Sequence, residues 1–249
     1  MKLLTISVIM SCNRRCGYCP VRKWLRPASF GGNRITNRAL LAWLDAYINP
    51  NEWIIEITGG EPGLYPEIGA LVPELDKRGY RGLIKTNGSL PLPKSKGFQL
   101  IAAWHGAIEE PPELYDQIAI IKNPDGQWAE KEQYCAAGNI PYRLVEFEEK
   151  GKLLDAGLRP LNKITACLHV NSAGQITKCA GDPPDAERNI FDMAEPAARD
   201  ALVYECPKCK IVNDVEKFLP PDLSGRIEAD FNALLCAQPE RQEEAWTLR

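Results

Sequence analysis

Hydrophobic and polar positions along the chain fall into two alternating periods. Leu3 to Met10 (LLTISVIM) is a short, β-branched apolar run that ends at a polar, cysteine-bearing loop, which predicts a buried β-strand. A helix is predicted from Asn37 to Ile48. Trp53 to Thr58 (WIIEIT) predicts a second strand, ending in Gly59-Gly60-Glu61-Pro62, and Tyr65 to Lys77 carries Ile68, Leu71, Val72 and Leu75 at helical spacing. Further strands are predicted at Gly82 to Thr86, Gln99 to Trp104, Ile118 to Lys122 and Tyr142 to Phe147, with a helix near Trp128 to Ala137.

Strands separated by helices or shortened connections argue for a parallel sheet, because parallel neighbours need crossover connections. A complete eight-unit barrel takes about 250 residues, and here the alternation stops near residue 150. The expected fold class is therefore α/β: a partial (β/α)6 TIM-like barrel over residues 1–150, followed by a small second domain over 151–249. In such folds the chemistry sits in the loops after the C-terminal ends of the strands.

Composition narrows the class. The chain has 249 residues, 45% hydrophobic and 25% charged, the balance of a globular protein, which excludes wholesale disorder and a fibrous repeat. A net charge of −3 gives no global positive field, which disfavours a nucleic-acid coat or a membrane-surface protein. The apolar run before Ser11-Cys12 is too short for a signal peptide, and no stretch approaches the roughly 18 apolar residues of a membrane span. The expected location is the reducing cytoplasm. The count that changes the picture is nine cysteines, odd in number, in a chain too long to need disulfide staples. Metal or redox chemistry becomes the expectation.

Cys12-Asn13-Arg14-Arg15-Cys16-Gly17-Tyr18-Cys19 is a C-x3-C-x2-C sequence directly after the first strand. Its spacing would also align one helix face, but Gly17 and Pro20 argue against a regular helix, and three exposed thiols would invite oxidation. Three thiolates can hold three irons of a [4Fe-4S] cluster and leave the fourth open to a non-protein ligand. Zinc competes, although a structural zinc site wants four protein ligands and only three are local. Thr58-Gly59-Gly60-Glu61-Pro62 follows the second strand and should face the same rim. Its paired glycines allow close backbone approach, and Glu61 supplies an acceptor for an ammonium group. Alone, this segment could be an ordinary turn.

Together the two motifs resemble the radical S-adenosylmethionine (radical SAM) superfamily, over about residues 5 to 148. The resemblance implies that Cys12, Cys16 and Cys19 ligate the cluster and that S-adenosylmethionine chelates the open iron. Glu61 with the Gly59-Gly60 backbone would receive the methionine amino group, and Tyr18 would lie near the adenine. Thr86-Asn87-Gly88 resembles the family's TNG segment, which implies a cofactor role for Asn87; Asn-Gly is also a common turn pair. The implied chemistry is one-electron cleavage of the sulfonium to methionine and a 5′-deoxyadenosyl radical, which abstracts hydrogen from the substrate in an enclosed site.

In the C-terminal part, Cys167 and Cys179 flank a stretch centred on Asn171-Ser172-Ala173-Gly174 that predicts a β-hairpin, and Cys206-Pro207-Lys208-Cys209 adds a C-x2-C turn. This pattern resembles the twitch module, a shortened SPASM extension, which implies one auxiliary [4Fe-4S] cluster held by Cys167, Cys179, Cys206 and Cys209. A zinc site with the same four thiolates fits the spacing too. Cys135 and Cys236 read as core thiols, Cys236 with some chance of replacing one of the four ligands.

Arg14, Arg15, Arg22, Lys23, Arg26, Arg34 and Arg38 form a basic stretch with no acidic residue up to Leu44. It reads as a solvated face, or as a dock for an acidic electron donor such as flavodoxin or ferredoxin, or for an anionic substrate. Trp24 among these bases is weak evidence for nucleotide stacking. His105 and Lys122 close the fourth and fifth strands and are candidate catalytic or substrate contacts. His169 reads as a hairpin residue, and Arg143, Glu146 and Glu148 as residues whose facing depends on register.

The expected function is a radical SAM enzyme acting on a small or medium organic substrate, with net oxidation through the auxiliary cluster. One alternative is peptide or protein modification, including glycyl-radical activation. Only 11 residues precede Cys12, which disfavours a leader-binding domain ahead of the barrel. Another is a non-catalytic Fe–S or zinc module, against which the intact Cys12, Cys16, Cys19 and Glu61 argue. Fold and cofactor do not name the substrate.

Overall fold

The computed structural model describes residues 2–16, 19, 25, 35–104, 114–122, 127–146 and 166–177. Its elements run β1 (Lys2–Ile9), α1 (Asn37–Tyr47), β2 (Trp53–Gly59), α2 (Ile68–Lys77), β3 (Gly82–Thr86), β4 (Phe98–Trp104), β5 (Gln117–Lys122), α3 (Trp128–Ala137), β6 (Tyr142–Glu146), β7 (Ala166–Val170) and β8 (Ile176–Thr177). They form one α/β sheet in the order β6-β5-β4-β3-β2-β1-β7-β8. Seven strands are parallel and β8 returns antiparallel to β7. From β1 to β6 each strand is added beside its predecessor, so all their C-terminal ends, and the loops after them, fall on one edge.

The six predicted strands and three helices are present, with shifted ends. α2 begins at Ile68 and not at Tyr65, because Pro66 drives the residue before it out of helical geometry: Tyr65 is extended, at φ −78° and ψ 112°. Its ring is buried and its hydroxyl donates to the Asn37 side chain at 2.8 Å, tying this turn to the start of α1. The hairpin expected around Asn171–Gly174 also forms, with His169 opposite Thr177 and Gly174 at φ 80°. What the local pattern did not place is the partner of its first strand. β7 pairs with β1, Thr5 opposite His169, so the hairpin shares the sheet of β1 to β6.

Alternation gives the sheet two chemically different faces. Leu4, Ile6, Val8, Ile55, Ile57, Ile84, Leu100, Ile118, Ile120 and Val170 pack with Leu44 of α1, Leu75 of α2 and Cys135 of α3 into the main core. On the opposite face Leu3, Ile54, Leu83 and Ile101 are at most 2% exposed, although they lie outside that core cluster. Burial of both faces is the state of parallel sheets in α/β proteins and explains why these strands read as near-continuous apolar runs. Among the described residues no helix is long and apolar enough to cross a membrane.

Candidate active site

The rim of the sheet is assembled by an extension of the β1–β2 pairing past the ends of the strands. After an irregularity between Ser7 and Ile9, the Gly60 N–H donates to the Ile9 carbonyl at 2.7 Å and the Glu61 N–H to the Ser11 carbonyl at 2.8 Å. The loop after β2 therefore lies directly against the loop after β1 that carries the cysteines. Only glycine permits this approach. A Cβ on Gly59, which sits at φ +145°, would be 2.3 Å from the Ile9 carbonyl oxygen, and one on Gly60 would be 2.0 Å from that of Ser11.

Glu61 is fully buried. Its Oε1 accepts from the Thr86 hydroxyl at 2.6 Å and from the Gly63 N–H at 2.9 Å, and its Oε2 accepts from the Asn87 N–H at 2.7 Å. Burial pushes its carboxyl up from the ordinary value, against these three hydrogen bonds and the nearby Arg14 charge, which pull it down. Glu61 is thus a latch between the loops after β2 and β3. The ammonium acceptor expected at this position is already engaged by three donors of the chain itself.

Cys12, Cys16 and Cys19 are half-buried thiols in no disulfide. Cys12 Sγ accepts from the Arg14 N–H at 3.4 Å and from Asn87 Nδ2 at 3.6 Å. Burial raises its thiol pKa most, with the Arg14 hydrogen bond opposing and the Glu61 charge adding to it. The Cys19 N–H donates to the Cys16 carbonyl at 3.3 Å. Among the described residues, no three His, Cys, Asp or Glu side chains converge on a point that could hold a metal ion. The structure brings the loop carrying the cysteines to the Glu61 latch without gathering the three sulfurs.

Asn87 is 9% exposed and held within this network, so the cofactor role expected of it falls beside Cys12. Lys122, a candidate substrate contact, shares the parity of Ile118 and Ile120, and its ammonium lies 5.4 Å from the ring centroid of Trp128 at the start of α3. That contact directs it to the helix layer. Arg143 falls on the opposite face and is exposed, while Glu146 ends β6. His169 is buried on β7, where its Nε2 shares a 2.9 Å hydrogen bond with the Ser7 hydroxyl, and burial lowers its pKa to about 4. Cys167 lies in β7 at the register position of Leu3, and Cys135 is buried in α3. Tyr18, Trp24, His105, Glu148, Cys179, Cys206, Cys209 and Cys236 lie outside the described residues.

The sheet face opposite the main core also holds polar groups that the motifs do not include. Thr5 donates to Glu56 Oε2 at 3.2 Å, and Lys85 Nζ lies 2.8 Å from Glu56 Oε1, with the carboxylate side chain only 4% exposed. The signal was available: a Glu in the middle of WIIEIT and a Lys in GLIKT are charges inside buried strands, where an unpaired charge is expensive.

Against this geometry, residues 6–102 match the family model described as the Radical SAM superfamily. That segment is 97 of the chain's 249 residues. The matched segment runs from β1 to β4 and includes Cys12, Cys16, Cys19, Glu61 and Asn87. The chain is 38% identical over 80 residues to 7-carboxy-7-deazaguanine synthase of Methanothermobacter thermautotrophicus, a stretch that is 32% of this chain and 31% of that enzyme. It thus spans less than a third of that relative. The crystal structure of Streptococcus suis SuiB bound to S-adenosylmethionine superposes with a TM-score of 0.51 at 15% identity, covering 91% of this chain and 65% of that one. That likeness is one of fold, a parallel α/β sheet.

Proposed function

We propose that this protein is a radical SAM enzyme whose Cys12, Cys16 and Cys19 hold a [4Fe-4S] cluster at the C-terminal edge of a partial barrel. The observation that carries the reading is the pairing of the cysteine loop with the Gly59-Gly60-Glu61 loop, backbone to backbone, over the segment that matches the family. The donor set suits the group. Three half-buried thiols lie on one loop, and the sulfur of Cys12 already accepts two N–H donors, the partners a thiolate ligand retains in Fe–S proteins. Because the three sulfurs are not gathered, loading of the cluster is the step that would complete the site.

When bound, the cluster and S-adenosylmethionine supply the electron transfer, sulfonium cleavage and hydrogen abstraction. The chain's contribution is to position them. Gly59 and Gly60 let backbone pass close to the cysteine loop, Glu61 fixes the loops after β2 and β3 relative to one another, and Asn87 donates to the Cys12 sulfur; by the family resemblance Tyr18 would contact the adenine. Burial of Leu3, Ile54, Leu83 and Ile101 supports a sheet curled around an enclosed inner face, from which water would be excluded. The Glu56–Lys85 pair, with Thr5, gives that face polar contacts for a small organic substrate, anionic ones included. The similarity to 7-carboxy-7-deazaguanine synthase favours a small molecule over a peptide.

The remaining assignments extend this reading. Residues 151–249 would form a twitch-like extension that joins the main sheet through β7, and its Cys167, Cys179, Cys206 and Cys209 would hold an auxiliary [4Fe-4S] cluster that takes up the substrate radical's electron in a net oxidation. A cytoplasmic flavodoxin or ferredoxin would supply the first electron. The test is anaerobic incubation of reduced, iron-loaded protein with S-adenosylmethionine. Equal amounts of methionine and 5′-deoxyadenosine are expected, and neither should form with Cys12→Ala. Iron-loaded wild-type protein that forms no 5′-deoxyadenosine would defeat the proposal.

A further inference from the structure

Asn87, Asn13 and Ser89 form a closed hydrogen-bond ring beside Cys12 that no motif accounts for. Asn87 Oδ1 accepts from the Ser89 N–H at 3.0 Å and from the Ser89 hydroxyl, while Asn87 Nδ2 donates to Asn13 Oδ1 at 2.9 Å. Asn13 Nδ2 donates back to Ser89 Oγ at 2.7 Å, so the two links through Asn13 join the cysteine loop to the loop after β3. The orientation of the Asn87 amide is determined by chemistry. The Ser89 backbone N–H can only donate, so the group facing it must be the carbonyl oxygen, and the NH2 must point to Asn13 and to Cys12 Sγ, 3.6 Å away. Asn87 and Ser89 are each at most 9% exposed, while Asn13 lies on the exposed side of the ring.

We infer that Asn87 sets the reduction potential of the cluster bound through Cys12, by an N–H···S hydrogen bond that Ser89 and Asn13 hold in register. This rests on reading Cys12, Cys16 and Cys19 as cluster ligands. Hydrogen bonds to the sulfurs are among the main determinants of Fe–S potential, and partners that orient a ligand tune the metal beyond it. The sign follows from charge. Adding one electron increases the negative charge on the sulfurs, a donor stabilises that state more than the oxidised one, and so the hydrogen bond raises the potential. Asn87 is on this account a positioning and tuning residue, and the Arg14 N–H on the same sulfur is a second donor whose backbone origin no side-chain substitution removes.

The experiment is a redox titration of the iron-loaded full chain, followed by paramagnetic resonance, on wild type, Asn87→Ala, Asn87→Asp and Ser89→Ala with iron and sulfide measured in each. Asn87→Asp keeps the size of the residue while removing the donor. At the wild-type midpoint, the ratio of reduced to oxidised cluster should fall about tenfold in Asn87→Ala, which for one electron is about 59 mV, and further in Asn87→Asp, whose carboxylate also adds negative charge beside Cys12 Sγ. Ser89→Ala should fall less, since its backbone N–H still holds the Asn87 carbonyl. Loaded Asn87 variants with the wild-type midpoint would overturn the inference, and so would failure of both to load iron, which would make the ring a purely structural clamp. A reduced wild type that gives no cluster signal would instead defeat the reading of the three cysteines as ligands.

Discussion

Protonating His169 should loosen the seam between β1 and β7. The ring is 6% exposed on the sheet face opposite the main core, bonded to Ser7, and its pKa is lowered from 6.5 to about 4 because burial disfavours the charged form. The sign follows from linkage. A His with a folded pKa below its unfolded value is bound neutral, so its stabilising contribution is complete above about pH 6.5 and is lost as pH falls toward 4. A shift of this size corresponds to roughly 3 kcal/mol in full, and to about 2 kcal/mol between pH 7.5 and 5. Against a total of about 5–15 kcal/mol for a typical domain, that is a large fraction. Urea unfolding at several pH values, on wild type and His169→Gln, separates this group from the carboxylates that also titrate, since glutamine can still bond Ser7 but carries no proton. The wild type should lose about 2 kcal/mol more than the variant over that interval. Equal pH dependence in the two proteins would refute the reasoning.

Other consequences follow from the same contacts. Glu61→Ala strands the Asn87 N–H and the Thr86 hydroxyl and should lower stability by about 2–5 kcal/mol in urea, with Glu61→Gln costing less because one oxygen remains. Gly59→Ala, forced to φ +145° against the Ile9 carbonyl, should destabilise by at least about 1–3 kcal/mol, whereas Gly69→Ala in α2, with open space around it, should be neutral or stabilising by up to about 1 kcal/mol; similar melting temperatures for the two would contradict the close-approach argument. Lys85→Met leaves the Glu56 carboxylate with Thr5 alone and should cost about 1–3 kcal/mol, less than a fully buried pair because the ammonium is 26% exposed. The double variant Lys85→Met/Glu56→Gln should recover part of that loss, a double-mutant cycle being the measure.

The strands were legible because each is a short β-branched run bounded by turn residues, and the parallel arrangement followed from the helices between them. The start of α2 was misplaced because the helical spacing of Ile68, Leu71, Val72 and Leu75 outweighed Pro66, whose steric effect on Tyr65 decides the boundary. The pairing of β7 with β1 joins residues more than 160 positions apart, and nothing local to either strand encodes it. At the site, the cysteine and glycine motifs were visible as spacing, but the function of Glu61 as a latch depends on which donors meet its carboxylate, and the orientation of Lys122 on which face β5 presents. The Asn13–Asn87–Ser89 ring combines residues from two loops and has no linear signature.

The central claim is that Cys12, Cys16 and Cys19 hold a redox-active cluster, and iron, sulfide and zinc content with paramagnetic resonance of the reduced full chain tests it most directly. About four irons and four sulfides are expected for this site, or about eight of each with an auxiliary cluster, together with a signal that shifts when S-adenosylmethionine is added. Replacing Cys12, Cys16 and Cys19 with alanine should remove about four irons and the shifting signal. A protein that holds stoichiometric zinc, lacks labile sulfide and gives no signal on reduction would contradict the account.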